Sequence, residues 1–337
     1  MWVPRPRPYT RGKRWVFLML INAEPISAIP VLDLEPFFSG ENGALETTAA
    51  SLRTICETVG FLTIVNHGVP AAFINATFAE AARFHAQSLD AKMQVKANAV
   101  LQGYVPVHGS TTRTSPLAAG AKPNENEAFF VRRSGDDAGD PDRWPATLPG
   151  FREVTLRYYD AMDALAQRLL PLFARALDLQ ADFFAPLCDQ PLTTLRLTHY
   201  PPSAYAANEY GIAPHTDSSF FTLLAQNKIP GLQIRIASGT WIDAEVTPNS
   251  FVVNIGDVLH RWSNGRFLST PHRAFNTSPG PRYAIPYFFH PNPETLIDCL
   301  PTCTVEGQAP RFPAMTTEAY MAWFRGRNYE HIREAAA

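Results

Sequence analysis

His215-Thr216-Asp217, with His272 and Arg282 further along, are the residues whose types and spacing could do chemistry. Two imidazoles and one carboxylate form the donor set of the facial triad, which holds non-haem Fe(II) and leaves neighbouring coordination positions open. In an extended strand residues i and i+2 point to one face, so His215 and Asp217 can reach one metal ion together. His272 lies 55 residues beyond Asp217 and must arrive on a different strand. Arg282, ten residues further, supplies a fixed guanidinium where the far carboxylate of a 2-oxo acid would lie. The set as a whole implies oxygen chemistry.

The elements that must position these residues change character along the chain. Residues 45–58 carry Leu45, Ala49, Leu52, Ile55 and Cys56 at helical spacing. Gly60 to Val65 reads as a strand, and Pro70 to about Met93 as an alanine-rich helix. Asn98 to Pro149 is loop-like, and a loop of that length in a compact domain is more often functional than idle. Residues 151–179 give the strongest helix, with Leu156, Tyr159, Met162, Leu165, Leu169 and Phe173 along one broad face. From Leu192 onward, short alternating strands are separated by turns such as Pro201-Pro202, Asn264-Gly265 and Pro279-Gly280. That pattern predicts a mainly β fold with flanking helices and a jelly-roll core over about 192–292, with its site between two sheets. A helical segment, Thr317 to Arg333, closes the chain.

The flanking sequences resemble a known family, the 2-oxoglutarate- and Fe(II)-dependent dioxygenases of the isopenicillin N synthase-like group. The resemblance runs over about residues 28–325. It rests on Ile29-Pro30-Val31-Leu32-Asp33-Leu34, Val59-Gly60-Phe61-Leu62 and Val65-Asn66-His67-Gly68-Val69-Pro70 near the start. Leu195 to Pro202, Gly231-Leu232-Gln233-Ile234, Val253-Asn254-Ile255-Gly256-Asp257 and Trp262-Ser263-Asn264-Gly265 follow in the family's order. The resemblance implies a double-stranded β-helix core and His215, Asp217 and His272 as the catalytic metal ligands for Fe(II). It further implies 2-oxoglutarate as cosubstrate bound by Arg282 and Tyr200, ascorbate as an additional reductant, and O2 and a small organic molecule as the other reactants. Succinate and CO2 would leave, and hydroxylation, desaturation and ring closure are all open outcomes. In one place the chain departs from the family, which usually has a serine two residues after its arginine; here that residue is Ala284. Loss of a hydrogen bond to a charged group is worth about 1.5–3 kcal/mol, enough to lower cosubstrate affinity about tenfold or more unless another donor substitutes, with Thr222 and Arg273 as candidates. An oxidase of the same scaffold that takes no oxo acid, and a non-catalytic metal-binding jelly roll, are the alternative readings.

Other residues that invite a functional role are read structurally. His67 is expected at a turn, His199, His260 and His290 in packing or at the surface, and Asp257 at a turn. Tyr104, Phe129, Phe130 and Phe288 are candidate substrate-pocket aromatics. A net charge of −2 leaves no electrostatic footprint for nucleic acid. Four cysteines without a CxxC pair predict reduced thiols and a cytoplasmic setting. Five basic residues precede Trp15–Ile21; without them the formal charge falls from −2 to −7. That apolar run is too short to cross a bilayer, so residues 1–27 are expected to be a poorly ordered extension. The rest divides at about residue 150 into an N-terminal α/β region (28–150) and a helix plus catalytic core with its C-terminal segment (151–337), working as one catalytic unit.

Overall fold

A computed structural model describes residues 28–133 and 143–335; the expected extension over residues 1–27 lies outside the described residues. In chain order the elements are β1 (Val31–Asp33), α1 (Glu35–Phe38), α2 (Ala44–Thr58), β2 (Phe61–Val65), α3 (Ala71–His85) and α4 (Leu89–Met93). There follow β3 (Gly103–Val105), β4 (Glu127–Arg133), α5 (Phe151–Ala176), β5 (Thr193–Tyr200), β6 (Ile212–His215), β7 (Phe221–Gln226) and β8 (Leu232–Arg235). Then come β9 (Trp241–Asp243), β10 (Phe251–Ile255), α6 (Asp257–Trp262), β11 (His272–Ala274) and β12 (Arg282–Phe289). The short β13 (Leu296–Ile297) and β14 (Met315–Thr316) precede α7 (Thr317–Asn328) and α8 (Glu330–Ala335).

Eight strands form one sheet in the order β1-β2-β10-β7-β12-β5-β4-β3, and four form a second, β6-β11-β8-β9. These sheets are the double-stranded β-helix, and the pleat assigns each its face. On β5, β7, β10 and β12 the odd-numbered Leu195, Leu197, Phe221, Leu223, Val253, Ile285, Tyr287 and Phe289 join the main apolar core together with α2, α3 and α5. Even-numbered Arg196, Tyr200, Thr222, Asn254, Arg282 and Ala284 line a cavity on the opposite face. Ridge residues of α5 pack on the odd set: Phe173 stacks on Phe221 with ring centroids 4.9 Å apart, and Phe221 on Phe289 at 5.1 Å.

Three elements differ from the sequence-based expectation. The 98–149 stretch contains two strands, β3 and β4, that extend the large sheet beside β5. Every position from Glu127 to Arg132 is buried, so the stretch lacks the in–out alternation that marks a half-exposed strand. The helix expected over 70–93 is two, because the Ser88 hydroxyl caps α4 by accepting from the Ala91 N–H at 3.3 Å. The C-terminal helix likewise divides at Tyr329, whose extended backbone (φ −115°, ψ 120°) separates α7 from α8.

Truncation at the centre of the aromatic stack tests this packing. Phe173→Ala is expected to lower stability by about 3–5 kcal/mol, read from urea unfolding.

Candidate active site

His215 ends β6 and His272 opens β11, and the two stand directly opposite in the antiparallel register. Their rings lie 4.2 Å apart between centroids. Asp217 lies two residues past the end of β6, in the connection to β7, and not within the strand itself. Even so, its Oδ1 is 3.6 Å from His215 Nε2 and 3.6 Å from His272 Nε2. All three donor atoms lie within 4.8 Å of one another.

Hydrogen bonds on the far side of each of these side chains fix which atom faces inward. His215 Nδ1 lies 2.8 Å from the Ala213 carbonyl and His272 Nδ1 3.3 Å from that of Thr270. A carbonyl only accepts, so each Nδ1 carries the proton and each Nε2 presents its lone pair. Burial, reinforced by the neighbouring His272, lowers the His215 pKa to about 3, which keeps the ring neutral. Thr222 on β7 and Asn254 on β10 donate to Asp217 Oδ2 at 2.6 and 2.7 Å, leaving Oδ1 for the two histidines. Burial opposes the carboxylate charge, but the two histidines and these two donors outweigh it, and the Asp217 pKa is lowered.

Asp257, expected at a turn, opens α6 and holds the segments next to Asp217 and His272 from behind. Its carboxylate accepts from Thr216, Ser269 and Tyr320 at 3.1, 2.6 and 2.8 Å, and its N–H donates to the Asp217 carbonyl at 2.7 Å. The sequence offered a signal only in the hydroxyl residues Thr216 and Ser269 near the two histidines.

The same cavity reaches Arg282, which is 1 % exposed. Its Nη2 donates to Gln226 Oε1 at 3.2 Å, while Nε and Nη1 have no protein partner. The guanidinium lies 4.7 Å from the centroid of the Tyr200 ring, across the register pair Arg282–Tyr200. Gly231 (φ +148°) presses against the same side chain; a Cβ there would sit 2.1 Å from the Phe275 carbonyl and 3.0 Å from Arg282 Nε. Neither candidate substitute for the missing serine offers its donor beside Arg282. The Thr222 hydroxyl is committed to Asp217, and Arg273 donates to Gln233 at 2.9 Å and covers the Trp241 ring at 4.2 Å.

A buried guanidinium with unused donors is costly unless an anion completes it. Three inward-facing metal donors and such a guanidinium in one cavity fit Fe(II) and a dicarboxylic oxo acid together.

Residues 191–291 match the 2OG-Fe(II) oxygenase superfamily, and residues 29–149 match the N-terminal family of non-haem dioxygenase in morphine synthesis. The 2-oxoglutarate-Fe(II) type oxidoreductase hxnY of Emericella nidulans is 34 % identical over 314 residues, 87 % of this chain and 88 % of that protein. The chain belongs to the 2-oxoglutarate- and Fe(II)-dependent oxygenases. Its fold superposes on that of a full-length Neurospora crassa protein in complex with alpha-KG and thymine, with a TM-score of 0.80 and 27 % identity, covering 90 % of this chain and 98 % of that one. JOX2 in complex with 2OG, Fe and JA gives 0.78 and 26 %, covering 92 % and 91 %. The protein is thus an oxidoreductase that uses Fe(II) and 2-oxoglutarate to oxidise a small organic molecule.

Of the aromatics expected at the substrate, Phe130 and Phe288 line the space beside His215 and Asp217. Tyr104 and Phe129 do not: Phe129 packs against Phe84 and Phe151, and the Tyr104 hydroxyl bonds Glu127. They lie on the helix side of β3 and β4. His290, expected in packing or at the surface, is in the pocket wall, 2 % exposed, with Nδ1 donating to the Leu192 carbonyl at 3.1 Å. His67 bridges the Val69 N–H and the Asn249 carbonyl, and His260 bonds the Phe267 carbonyl.

A second His-carboxylate-His group, His85, Glu127 and His199, lies on the helix side of β4 and β5. Its carboxylate already has a cation, since Lys92 Nζ donates to Glu127 Oε2 at 2.7 Å and His199 Nδ1 lies 2.8 Å from Oε1. Burial works against the Glu127 charge, yet His199, His85 and Lys92 outweigh it and hold the pKa well below the ordinary range. This network therefore stabilises the fold above the unfolded-state glutamate pKa of about 4.3, and the contribution is lost progressively as the pH falls from there toward the lower folded-state value. Glu127→Gln would leave buried Lys92 without its anion. It is expected to cost about 3–5 kcal/mol at neutral pH, with the gap to wild type narrowing below about pH 4 in a pH series of urea unfolding.

Proposed function

We propose that His215 Nε2, His272 Nε2 and Asp217 Oδ1 hold the Fe(II), and that Arg282 receives the far carboxylate of 2-oxoglutarate with Tyr200 lining its arm. Bound there, iron and the oxo acid supply an O2-derived oxidant, with loss of CO2 and succinate, that removes hydrogen from the substrate. The observation that carries the reading is the pairing of three converging donor atoms with a fully buried, under-bonded arginine in one cavity.

Each neighbouring residue has a task in this reading. The Ala213 and Thr270 carbonyls hold the histidine protons away from the metal, and Thr222 and Asn254 keep Asp217 from turning. Leu224, Leu232, Ala274 and Ala284 form an apolar wall that excludes water around the Arg282 charge and strengthens its attraction for a carboxylate. Gln226 is the polar side chain that orients the guanidinium where the family usually adds a serine hydroxyl.

The N-terminal region (28–150) and the remainder are proposed to act as one catalytic unit, a reading supported by β1–β4 sharing the large sheet with the core strands. Four unpaired cysteines support a reducing, cytoplasmic setting. No helix among the described residues is long and apolar enough to cross a membrane.

Two variants separate the metal from the cosubstrate. His215→Ala is expected to abolish Fe(II) binding and release of CO2 from 1-carboxyl-labelled 2-oxoglutarate; turnover at wild-type rate would refute the ligand assignment. Arg282→Gln is expected to raise the 2-oxoglutarate KM by about 10- to 100-fold. Because it removes an unpaired buried charge, the same variant should be no less stable than wild type without cosubstrate, as read from thermal unfolding.

A further inference from the structure

A second cavity borders His215 and Asp217 without reaching Arg282. Arg196 and Arg325 line it together with Phe130, Phe288, Phe324 and Tyr329. Both arginines are more than nine-tenths buried, and each keeps a nitrogen without a protein partner: Nε of Arg196 and Nη1 of Arg325. Arg196 is held by a neutral group, the Asn126 side-chain oxygen, and its guanidinium lies 5.2 Å from the Phe130 ring. Arg325 spends one nitrogen on the half-exposed Glu318 at 2.6 Å. The one carboxylate lining the cavity is Asp217, which the reading above commits to iron.

We propose that this cavity takes the primary substrate and that the substrate is an organic carboxylate with a flat, apolar body. Its carboxylate is received by Arg196 with support from Arg325, and its body lies among the four aromatic side chains. Arg325 is partly met by Glu318 and Arg196 by no anion, so the cavity keeps positive charge that an incoming carboxylate offsets. Arg282 already answers to the far carboxylate of the cosubstrate, so Arg196 answers to a second anion. A guanidinium fork and aromatic walls together select a planar acid over a neutral isostere, because the neutral partner leaves the arginine donors unmet. The inference rests on the proposed function, since it takes the other end of the site as the cosubstrate's.

The test titrates the whole chain, loaded with Fe(II) and 2-oxoglutarate without O2, with benzoic, cinnamic and naphthoic acids, each beside its carboxamide. At least one acid is expected to bind about tenfold more tightly than its carboxamide by calorimetry. Arg196→Gln should bring that ratio to about one, and Arg196→Lys should keep part of it. Arg325→Gln, a change on α7 and not on a sheet strand, should lower the same ratio and serves if Arg196→Gln fails to fold. Acid–amide ratios near one for every pair, or no binding by any acid, would overturn the proposal. So would a larger loss of 2-oxoglutarate affinity than of acid affinity in Arg196→Gln, which would give this arginine to the cosubstrate. Substrate-free release of CO2 from labelled 2-oxoglutarate reports separately on the iron and cosubstrate reading; if it persists while the acids fail, only the substrate inference falls.

Discussion

Asp217 is the point on which the two sheets depend. Its Oδ2 is tied to Thr222 and Asn254 on the large sheet, and its Oδ1 faces His215 and His272 on the small one. A buried carboxylate is tolerated only when its charge is met, so the residue cannot relax toward either sheet alone. Asp257, behind the cluster, fixes residues 216 and 217 on one side and 269 on the other. The segments that carry His215, Asp217 and His272 are therefore held from behind by protein hydrogen bonds, as the proposed metal site requires if it is to impose geometry and not merely adopt it.

Alternation along the strands made much of this legible from sequence. Leu195, Leu197 and His199 against Arg196 and Thr198 announced a two-faced strand, and the structure puts Leu195 and Leu197 in the helix-side core and Arg196 on the cavity. The His215, Asp217 and His272 set was readable because metal donors must be specific residue types, and Arg282 because its place after them resembles that of the family's arginine. β4 was unreadable for the converse reason: Glu127-Ala128-Phe129-Phe130-Val131 is buried on both faces, and its polar members answer to partners far away in sequence. Glu127 looks like a loop acid until Lys92, 35 residues earlier, is folded against it. Asp257 and Arg196 stayed hidden because nothing local distinguishes a hub carboxylate from a turn aspartate, or a cavity arginine from a strand-surface one.

The positive charges along the cavity divide its labour. Arg282 stands under Tyr200 behind an apolar wall, and Arg196 stands beside His215 and Asp217 with Phe130 across its face. Neither has a carboxylate partner among the described residues. Burying two guanidiniums without an anion costs stability, while the opposite, odd-numbered face of the large sheet carries apolar packing that includes the Phe173, Phe221 and Phe289 stack.

Ala284 sharpens that division. A serine there would add a donor beside Arg282; the alanine leaves the work to Gln226, opposite it in the β7–β12 register. An amide oxygen that accepts from the guanidinium orients it but gives nothing directly to an incoming carboxylate, because its own donor lies on the other branch of the side chain. On the proposed assignment, the anion at this end would be held mainly by the Nε and Nη1 hydrogens of a single arginine, in surroundings dry enough to strengthen each bond. On the proposed assignment, specificity for a dicarboxylic cosubstrate accordingly rests on burial, where the usual family pattern rests on an additional hydroxyl.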